Sequence, residues 1–207
     1  MDIPNGIYAI TDCDKLLDDE LIEKTEKLLS IGISLLQYRN KTSDKHGKKQ
    51  LAIALQGLCQ DYHTPFIIND DLELAQEINA DGIHLGKDDI DITTARQALG
   101  KKIIGVSCYN DLDRAISAEH NTADYIAFGS FFPSITKPAA VRADVELLKQ
   151  AKRQLTIPIV AIGGITPENG RQLVNAGADY LAVISGLYST ADITKTTVNY
   201  KKLFKHD

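Results

Sequence analysis

Long apolar runs, paired cysteines and an excess of basic residues are all missing from this sequence. No apolar stretch approaches the length needed to span a bilayer, which argues against a membrane-embedded protein. The first residues, MDIPNGIYAITD, lack the basic start and apolar stretch of a signal peptide and lead almost directly into a strand-like run. We therefore expect a cytoplasmic protein with no membrane partner.

The charge and the cysteine pattern exclude further classes of protein. The net charge of −5 argues against nucleic acid as a partner, because a phosphate backbone favours basic surfaces. The cysteines are Cys13, Cys59 and Cys108, an odd number without a C-x-x-C motif. This pattern is typical of reduced thiols and not of a disulfide framework or a zinc site.

Short apolar runs alternate with amphipathic stretches along the whole chain of 207 residues. The strand candidates are brief and rich in Ile or Val, as expected for strands buried on both faces. They are IYAIT, SLLQYR, FIIN, GIHLG, IIGVS, DYIAFG, IPIVAIGG and YLAVISG. Eight such units with helices between them predict an α/β protein, a (β/α)₈ (TIM) barrel that forms one domain over residues 1–207. A doubly wound sheet is the alternative, but no G-x-G-x-x-G motif follows the first strand.

Polar side chains follow the second predicted strand, at the end of a barrel where chemistry is usually found. Gln37, Arg39 and Lys41 are two residues apart, so an extended chain points them in one direction. Two cations and an amide in one direction suit a polyanion. An ordinary polar strand end explains the same residues equally well.

Acidic residues follow the third and fourth strands. Asn69, Asp70 and Asp71 end one strand, and Asp89 lies shortly after the next. Helix capping explains each segment alone. Because neighbouring parallel strands lie about 5 Å apart, carboxylates at two adjacent ends can share one ion, and this arrangement suits Mg²⁺. His84, inside the fourth strand, is interpreted as a hydrogen-bonded core residue and not as a metal ligand.

The later strands end in hydroxyl groups and glycines. Strand five offers Ser107, and strand six leads into the long segment GSFFPSITKPAA, which carries Ser134, Thr136 and Lys137. That segment exceeds a usual strand–helix loop, and we interpret it as a lid, with a polar surface loop as the alternative. Strands seven and eight end in residues that suit a phosphate site, although tight turns explain them too. These residues are Gly163, Gly164, Ile184, Ser185 and Gly186.

With these segments in this order and spacing, the chain resembles the thiamine-phosphate synthase (thiamine-phosphate pyrophosphorylase) family along nearly its whole length. The matching segments are YAITD, QYRNK, FIINDD, DGIHLGKDD, IIGVS, ADYIAFGSFFPSITKP, IPIVAIGGITPEN and LAVISG. The resemblance implies a transferase with a (β/α)₈ fold. It would join hydroxymethylpyrimidine diphosphate to hydroxyethylthiazole phosphate and release pyrophosphate.

The resemblance also implies a role for each matching residue. Asp70 and Asp89 would hold Mg²⁺, the implied cofactor. Arg39, Lys41, Ser107 and Lys137 would be catalytic. The implied substrate contacts are Gln37, Arg39, Lys41, Asn69, Ser107, Ser134, Thr136, Lys137, Gly164, Ile184 and Ser185. The implied reaction is dissociative: pyrophosphate leaves, a pyrimidine methylene cation remains, and the thiazole nitrogen attacks it.

The chain departs from the family pattern at Lys87, where Gln is common, and at Ser130 and Ser134, where Pro and Thr are common. A related thiazole tautomerase is the main alternative, but its members lack the paired acids and carry a His after strand five. A non-catalytic phosphate-binding barrel is a second alternative. The oligomeric state is left open, with a homo-oligomer as one alternative.

Overall fold

Eight parallel strands close into a barrel in chain order in the computed structural model, which describes residues 3–41, 44–133 and 142–205. The strands are β1 Gly6–Ile10, β2 Leu35–Tyr38, β3 Phe66–Asn69, β4 Gly82–Leu85, β5 Ile103–Tyr109, β6 Tyr125–Gly129, β7 Ile159–Ile162 and β8 Tyr180–Val183. β8 pairs with β1 and closes the sheet, with Gly6 opposite Tyr180. The predicted (β/α)₈ barrel and all of its strands are confirmed.

Helices follow the strands on the outside of the barrel. In the described part of the chain they are α1 Asp18–Ile31, α2 Lys45–Asp61, α3 Leu72–Glu77, α4 Ile92–Leu99, α5 Leu112–His120, α6 Val145–Gln154, α7 Arg171–Asn175, α8 Ser185–Tyr188 and α9 Ile193–Lys202. The sequence predicts eight helices; the extra one is α8, a single turn directly after β8. None of the helices described here is long and apolar enough to cross a membrane.

Local sequence signals explain where most helices begin and end. In α1, the buried residues Leu21, Thr25, Leu28 and Leu29 lie on one stripe, and the helix ends at Gly32 with φ of +92°. Aspartate side chains accept backbone N–H groups at the start of six helices, namely α2, α3, α4, α5, α6 and α9. Thr166 and Pro167 lie in a turn before α7, which begins at Arg171.

The core consists of two layers separated by the barrel wall. Strand side chains that point out of the barrel, such as Ile7 and Ala9, pack in the layer between the strands and the helices. Strand side chains that point into the barrel, such as Tyr8 and Ile10, pack in its interior. Gly105 also faces inwards, and a Cβ atom there would overlap the Tyr125 ring. The missing side chain therefore makes room for a tyrosine in the barrel interior.

Candidate active site

The C-terminal ends of β2 and β3 bring a lysine, an amide and a carboxylate together. Lys41 Nζ donates a hydrogen bond to Asp70 Oδ2, and Asn69 Nδ2 lies 2.7 Å from the same oxygen. Asp70 has a φ of +55°, in the left-handed region that few residues other than glycine adopt. Strain of this kind is often found at functional sites. These contacts bring together Lys41, Asn69 and Asp70, three of the residues expected at the site.

The neighbouring acids have different surroundings. Asp71 caps α3 through the Leu74 N–H and lies 2.6 Å from Lys48 Nζ, so the helix-capping alternative holds for Asp71. Asp89 is exposed on the loop after β4, where its Oδ2 accepts the Gly86 N–H at 2.5 Å. Helix capping therefore accounts for Asp71, but it does not account for Asp70 or Asp89.

These two carboxylates are of the ligand type that Mg²⁺ prefers. In the described part of the chain, both use Oδ2 for protein hydrogen bonds, and neither Oδ1 receives a donor. No group of three or more His, Cys, Asp or Glu side chains that could hold a metal lies among those residues. Mg²⁺ is commonly bound by one or two carboxylates together with substrate phosphates and water, so a pair is sufficient.

Gln37, Arg39 and Lys41, which an extended chain would point in one direction, have different partners in the structure. β2 ends at Tyr38, so the extended geometry behind that expectation stops before Arg39. Arg39 Nη1 lies 3.6 Å from Asp14 Oδ2, on the loop after β1. Gln37 donates to Tyr8 inside the barrel, Arg39 pairs with Asp14, and Lys41 donates to Asp70, so a common direction of the three side chains stays a prediction.

A chain of hydrogen bonds crosses the interior of the barrel. Gln37 Nε2 donates to Tyr8 Oη at 2.8 Å, and Tyr8 Oη lies 2.6 Å from Tyr125 Oη. Tyr125 Oη lies 2.9 Å from His84 Nδ1, and His84 Nε2 lies 2.8 Å from Ser107 Oγ. The chain thus connects the predicted ligand contacts on β2 and β5, and both ring nitrogens of His84 are satisfied, as predicted.

Burial keeps the members of this chain uncharged. Burial lowers the pKa of His84 to about 4, although the Asp70 carboxylate opposes that shift. Burial also raises the pKa of Tyr8 and of Tyr125 well above the usual value for tyrosine. At neutral pH the imidazole therefore carries one hydrogen, and both phenols keep theirs.

The opposite side of the mouth holds the predicted phosphate residues. Gly163 and Gly164 follow β7 with φ of +107° and +60°, and Ile184 and Ser185 form the junction of β8 and α8. Lys15, from the loop after β1, places Nζ 3.3 Å from Ser185 Oγ. The structure therefore adds a cation to the predicted phosphate side.

Backbone hydrogen bonds hold the described residues on either side of the segment after β6. The Phe131 N–H donates to Ile162 O at 3.1 Å, and Phe131 is buried in the outer core. The Ala143 N–H donates to Ser130 O at 2.9 Å beyond the segment. Ser134, Thr136 and Lys137, the predicted ligand contacts of the lid, lie outside the described residues.

Tyr8, Tyr125 and Lys15 are the residues at the site that the sequence analysis missed. The tyrosines lie within apolar strands, where an aromatic side chain is first interpreted as core. Their signal is a phenol group at an inward position, because a buried hydroxyl needs a partner. Lys15 has no motif around it, and only the fold brings it to Ser185.

Comparison with known proteins identifies relatives along nearly the whole chain. The family model for thiamine monophosphate synthase matches residues 7–187. The thiamine-phosphate synthase of Nitrosococcus oceani is 50% identical over 200 residues, which cover 96% of this chain and 92% of that protein. The enzyme of the same name from Thiobacillus denitrificans is 47% identical and covers 97% of this chain and 95% of its own.

A solved structure agrees with these sequence relatives. The thiamine phosphate pyrophosphorylase from Pyrococcus furiosus superposes with a TM-score of 0.87 and 32% identity, covering 96% of this chain and 94% of its own. A 3-hexulose-6-phosphate synthase structure, 16% identical with a TM-score of 0.75, shares the fold alone. Together with the strand-end residues described above, these matches show that the chain belongs to the thiamine monophosphate synthase family.

Proposed function

We propose that this chain is a transferase that condenses 4-amino-2-methyl-5-hydroxymethylpyrimidine diphosphate with 4-methyl-5-(2-phosphooxyethyl)thiazole. The products are thiamine phosphate and pyrophosphate. The observation that carries the proposal is the contact of Lys41, Asn69 and Asp70 at the end of β3, in a chain that matches thiamine-phosphate synthases over nearly its whole length. A cation beside a carboxylate at the strand ends suits a diphosphate with its metal ion.

Asp70 and Asp89 are the residues that would hold Mg²⁺. Both carry an Oδ1 that is free of donors from the described residues, and they follow the neighbouring strands β3 and β4. Bound there, the ion would neutralise charge on the diphosphate oxygens and so assist the departure of pyrophosphate. Lys41, which donates to Asp70, would contact the same diphosphate.

The departure of pyrophosphate is the step that the protein's cations would promote. The bond between the pyrimidine methylene carbon and the diphosphate oxygen breaks, and its electron pair leaves with pyrophosphate. Arg39, Lys41 and Lys137 would bind the growing negative charge, with Asn69 as a further contact. The thiazole nitrogen then forms the new bond with its own lone pair. No protein base is needed for that attack, which fits a site rich in cations.

The remaining contacts would position the two rings and the second phosphate. Gln37 and Ser107 would face the pyrimidine inside the barrel, at the two ends of the hydrogen-bond chain. The thiazole phosphate would lie at the ends of β7 and β8, near Gly164, Ile184 and Ser185, where barrels of this kind often bind a phosphate. Ser134 and Thr136 stay predictions for the closing segment.

The proposal also covers the setting of the reaction. An acidic chain that acts on two small phosphorylated molecules has no role for nucleic acid, and we place it in the cytoplasm. A homo-oligomer stays an open alternative.

The direct test is incubation of the purified protein with both substrates and Mg²⁺, followed by chromatographic detection of thiamine phosphate and pyrophosphate. Tautomerised thiazole without pyrophosphate would favour the thiazole tautomerase alternative. Binding of the thiazole phosphate without turnover would favour the non-catalytic barrel. Either result would overturn the proposal.

Acidic variants test the metal pair. Asp70→Ala and Asp89→Ala should each remove most turnover and leave the fold intact, because strand-end carboxylates contribute little to the core. Asp88→Ala, which removes the exposed carboxylate next to Asp89, is the matched control and should keep near-full activity. Near-full activity of either site variant with Mg²⁺ present would contradict the shared-ion proposal.

A further inference from the structure

The hydrogen-bond chain through the barrel has few ways to distribute its hydrogens. Each phenol has one hydrogen to donate, and so has the neutral imidazole. Gln37 Nε2 can only donate, so the Tyr8 oxygen accepts at that contact. The remaining hydrogens must then be arranged so that no buried donor is left without an acceptor.

If Gln37 donates to Tyr8, one arrangement gives every buried hydrogen of the chain an acceptor. Tyr8 donates to Tyr125, and Tyr125 donates to His84 Nδ1. The single hydrogen of the imidazole is then on Nε2, which donates to Ser107 Oγ. Since Ser107 Oγ accepts from His84, its own hydrogen is directed to whatever lies in the barrel mouth.

The opposite arrangement conflicts with the contact at Gln37. If Ser107 donated to His84, then His84 would donate to Tyr125, and Tyr125 to Tyr8. Tyr8 Oη would then accept from both Tyr125 and Gln37, and its own hydrogen would have no acceptor among the described residues. The bonds can reverse only as a whole, with Gln37 turned to present Oε1 to Tyr8.

The packing of the rings holds this chain in place. The His84 ring stacks on the Tyr125 ring with centroids 5.6 Å apart and an interplanar angle of 20°. Tyr8 meets Tyr125 edge to face, at 5.7 Å and 83°. Gly105 provides the space for the Tyr125 ring. With these rings fixed by packing, the hydroxyl of Ser107 has little freedom to exchange its partner on His84.

We propose that His84 and Tyr125 are positioning residues that fix Ser107 as a hydrogen-bond donor toward a ring nitrogen of the pyrimidine substrate. At the other end, Gln37 uses Nε2 for Tyr8 and keeps Oε1 as an acceptor for the exocyclic amine. The hydrogen-bonding directions of the two contacts are therefore coupled across the barrel. The identity of the ligand rests on the proposed function, whereas the direction of the chain does not.

The tautomer of His84 is the first test, and it needs no substrate. In protein labelled with ¹⁵N at histidine, a long-range ¹H–¹⁵N correlation spectrum at neutral pH should show the His84 hydrogen on Nε2, with His84→Gln used to assign the signal. A hydrogen on Nδ1 would overturn the proposal, even if the protein forms thiamine phosphate. Tyr125→Phe removes the donor to Nδ1 and should give a mixture of tautomers.

Two substitutions of His84 test the role in catalysis. Gln places an amide nitrogen near the position of Nε2 and can still donate to Ser107, whereas Asn reaches only the position of Nδ1. Loss of a neutral hydrogen bond is expected to lower kcat/KM by about threefold to tenfold. His84→Asn should show that loss for the pyrimidine diphosphate, and His84→Gln should recover most of it.

The double variant separates positioning from general loss of structure. If His84 acts through Ser107, then His84→Asn should cost little more in a Ser107→Ala background. Equal losses in both backgrounds would show that His84 acts independently of Ser107 and would overturn the proposal. Absence of any thiamine phosphate from the wild-type protein would instead refute the proposed function, while the tautomer measurement would still decide the direction of the chain.

Discussion

Gly164 offers a sharp test of how the end of β7 supports the site. Its φ of +60° is unfavourable for alanine, and a Cβ atom there would overlap the Pro133 carbonyl oxygen. The same Cβ would lie 2.9 Å from the Phe132 carbonyl carbon. Because these are backbone atoms, Gly164→Ala must displace the start of the segment after β6 or the turn after β7.

The expected loss of stability has two parts. A left-handed conformation costs a residue with a Cβ about 1–2 kcal/mol. Crowding in a packed region adds about 1–3 kcal/mol, so the total is about 2–5 kcal/mol. Gly100→Ala is the comparison variant, because Gly100 also has a φ of +60° but no atom lies within 4 Å of its Cβ position. Its ψ of −115° lies outside the left-handed helical region and is at least as unfavourable for alanine. A larger loss in Gly164→Ala than in Gly100→Ala therefore shows the crowding at Pro133 and Phe132.

Urea denaturation of both variants, compared at unchanged m-value, measures this difference. Steady-state kinetics should also show that Gly164→Ala raises KM for the thiazole phosphate far more than KM for the pyrimidine diphosphate. A loss in Gly164→Ala of only about 1–2 kcal/mol, the cost of the left-handed conformation alone, would refute the crowding argument. An equal rise of both KM values would show that the thiazole phosphate does not bind at the end of β7.

Three further predictions concern single side chains. Lys15→Ala should raise KM for the thiazole phosphate by about threefold to tenfold, because its Nζ lies 3.3 Å from Ser185 Oγ, whereas the exposed Lys27→Ala control should not. Lys137→Ala should lower kcat/KM by about 10- to 150-fold, because a hydrogen bond to a charged group is lost, and an unchanged value would reject its role. Burial raises the pKa of the Glu119 carboxyl, but the hydrogen bonds that this carboxyl accepts from Thr156 and Ile157 outweigh burial, so its pKa is lowered. The stability difference between wild type and Glu119→Gln should therefore be full above the unfolded pKa of about 4.3 and shrink as pH falls below it, as thermal unfolding at several pH values can check.

The fold could be predicted because each barrel strand is buried on both faces and is therefore short and continuously apolar. FIIN, for example, coincides with β3 from Phe66 to Asn69. The end of β2 could not be predicted in the same way. YRNK continues the polar pattern of an extended chain, but pairing stops at Tyr38, and Arg39 turns toward Asp14. Where a strand ends is decided by its neighbours, which the local sequence does not contain.

The site was predictable where a motif lies next to a strand end. Asn69 and Asp70 directly follow an apolar run, and Lys41 reaches them from the adjacent strand, so strand order alone brings the three together. Lys15 illustrates the opposite case. It is 170 residues from Ser185 in the chain, and only closure of β8 onto β1 brings the two side chains within 3.3 Å.

The hydrogen-bond chain shows why polar groups inside a barrel need the closed structure to be understood. Tyr8 and Tyr125 are 117 residues apart and belong to β1 and β6, which are not neighbours in the sheet. Their hydroxyl groups meet because inward side chains from separate strands share one interior, and Gly105 leaves the volume that the Tyr125 ring fills. A residue with a larger side chain at Gly105 would therefore break the connection between Gln37 and Ser107 without touching either. The hydrogen-bond chain thus depends on a position that carries no side chain of its own.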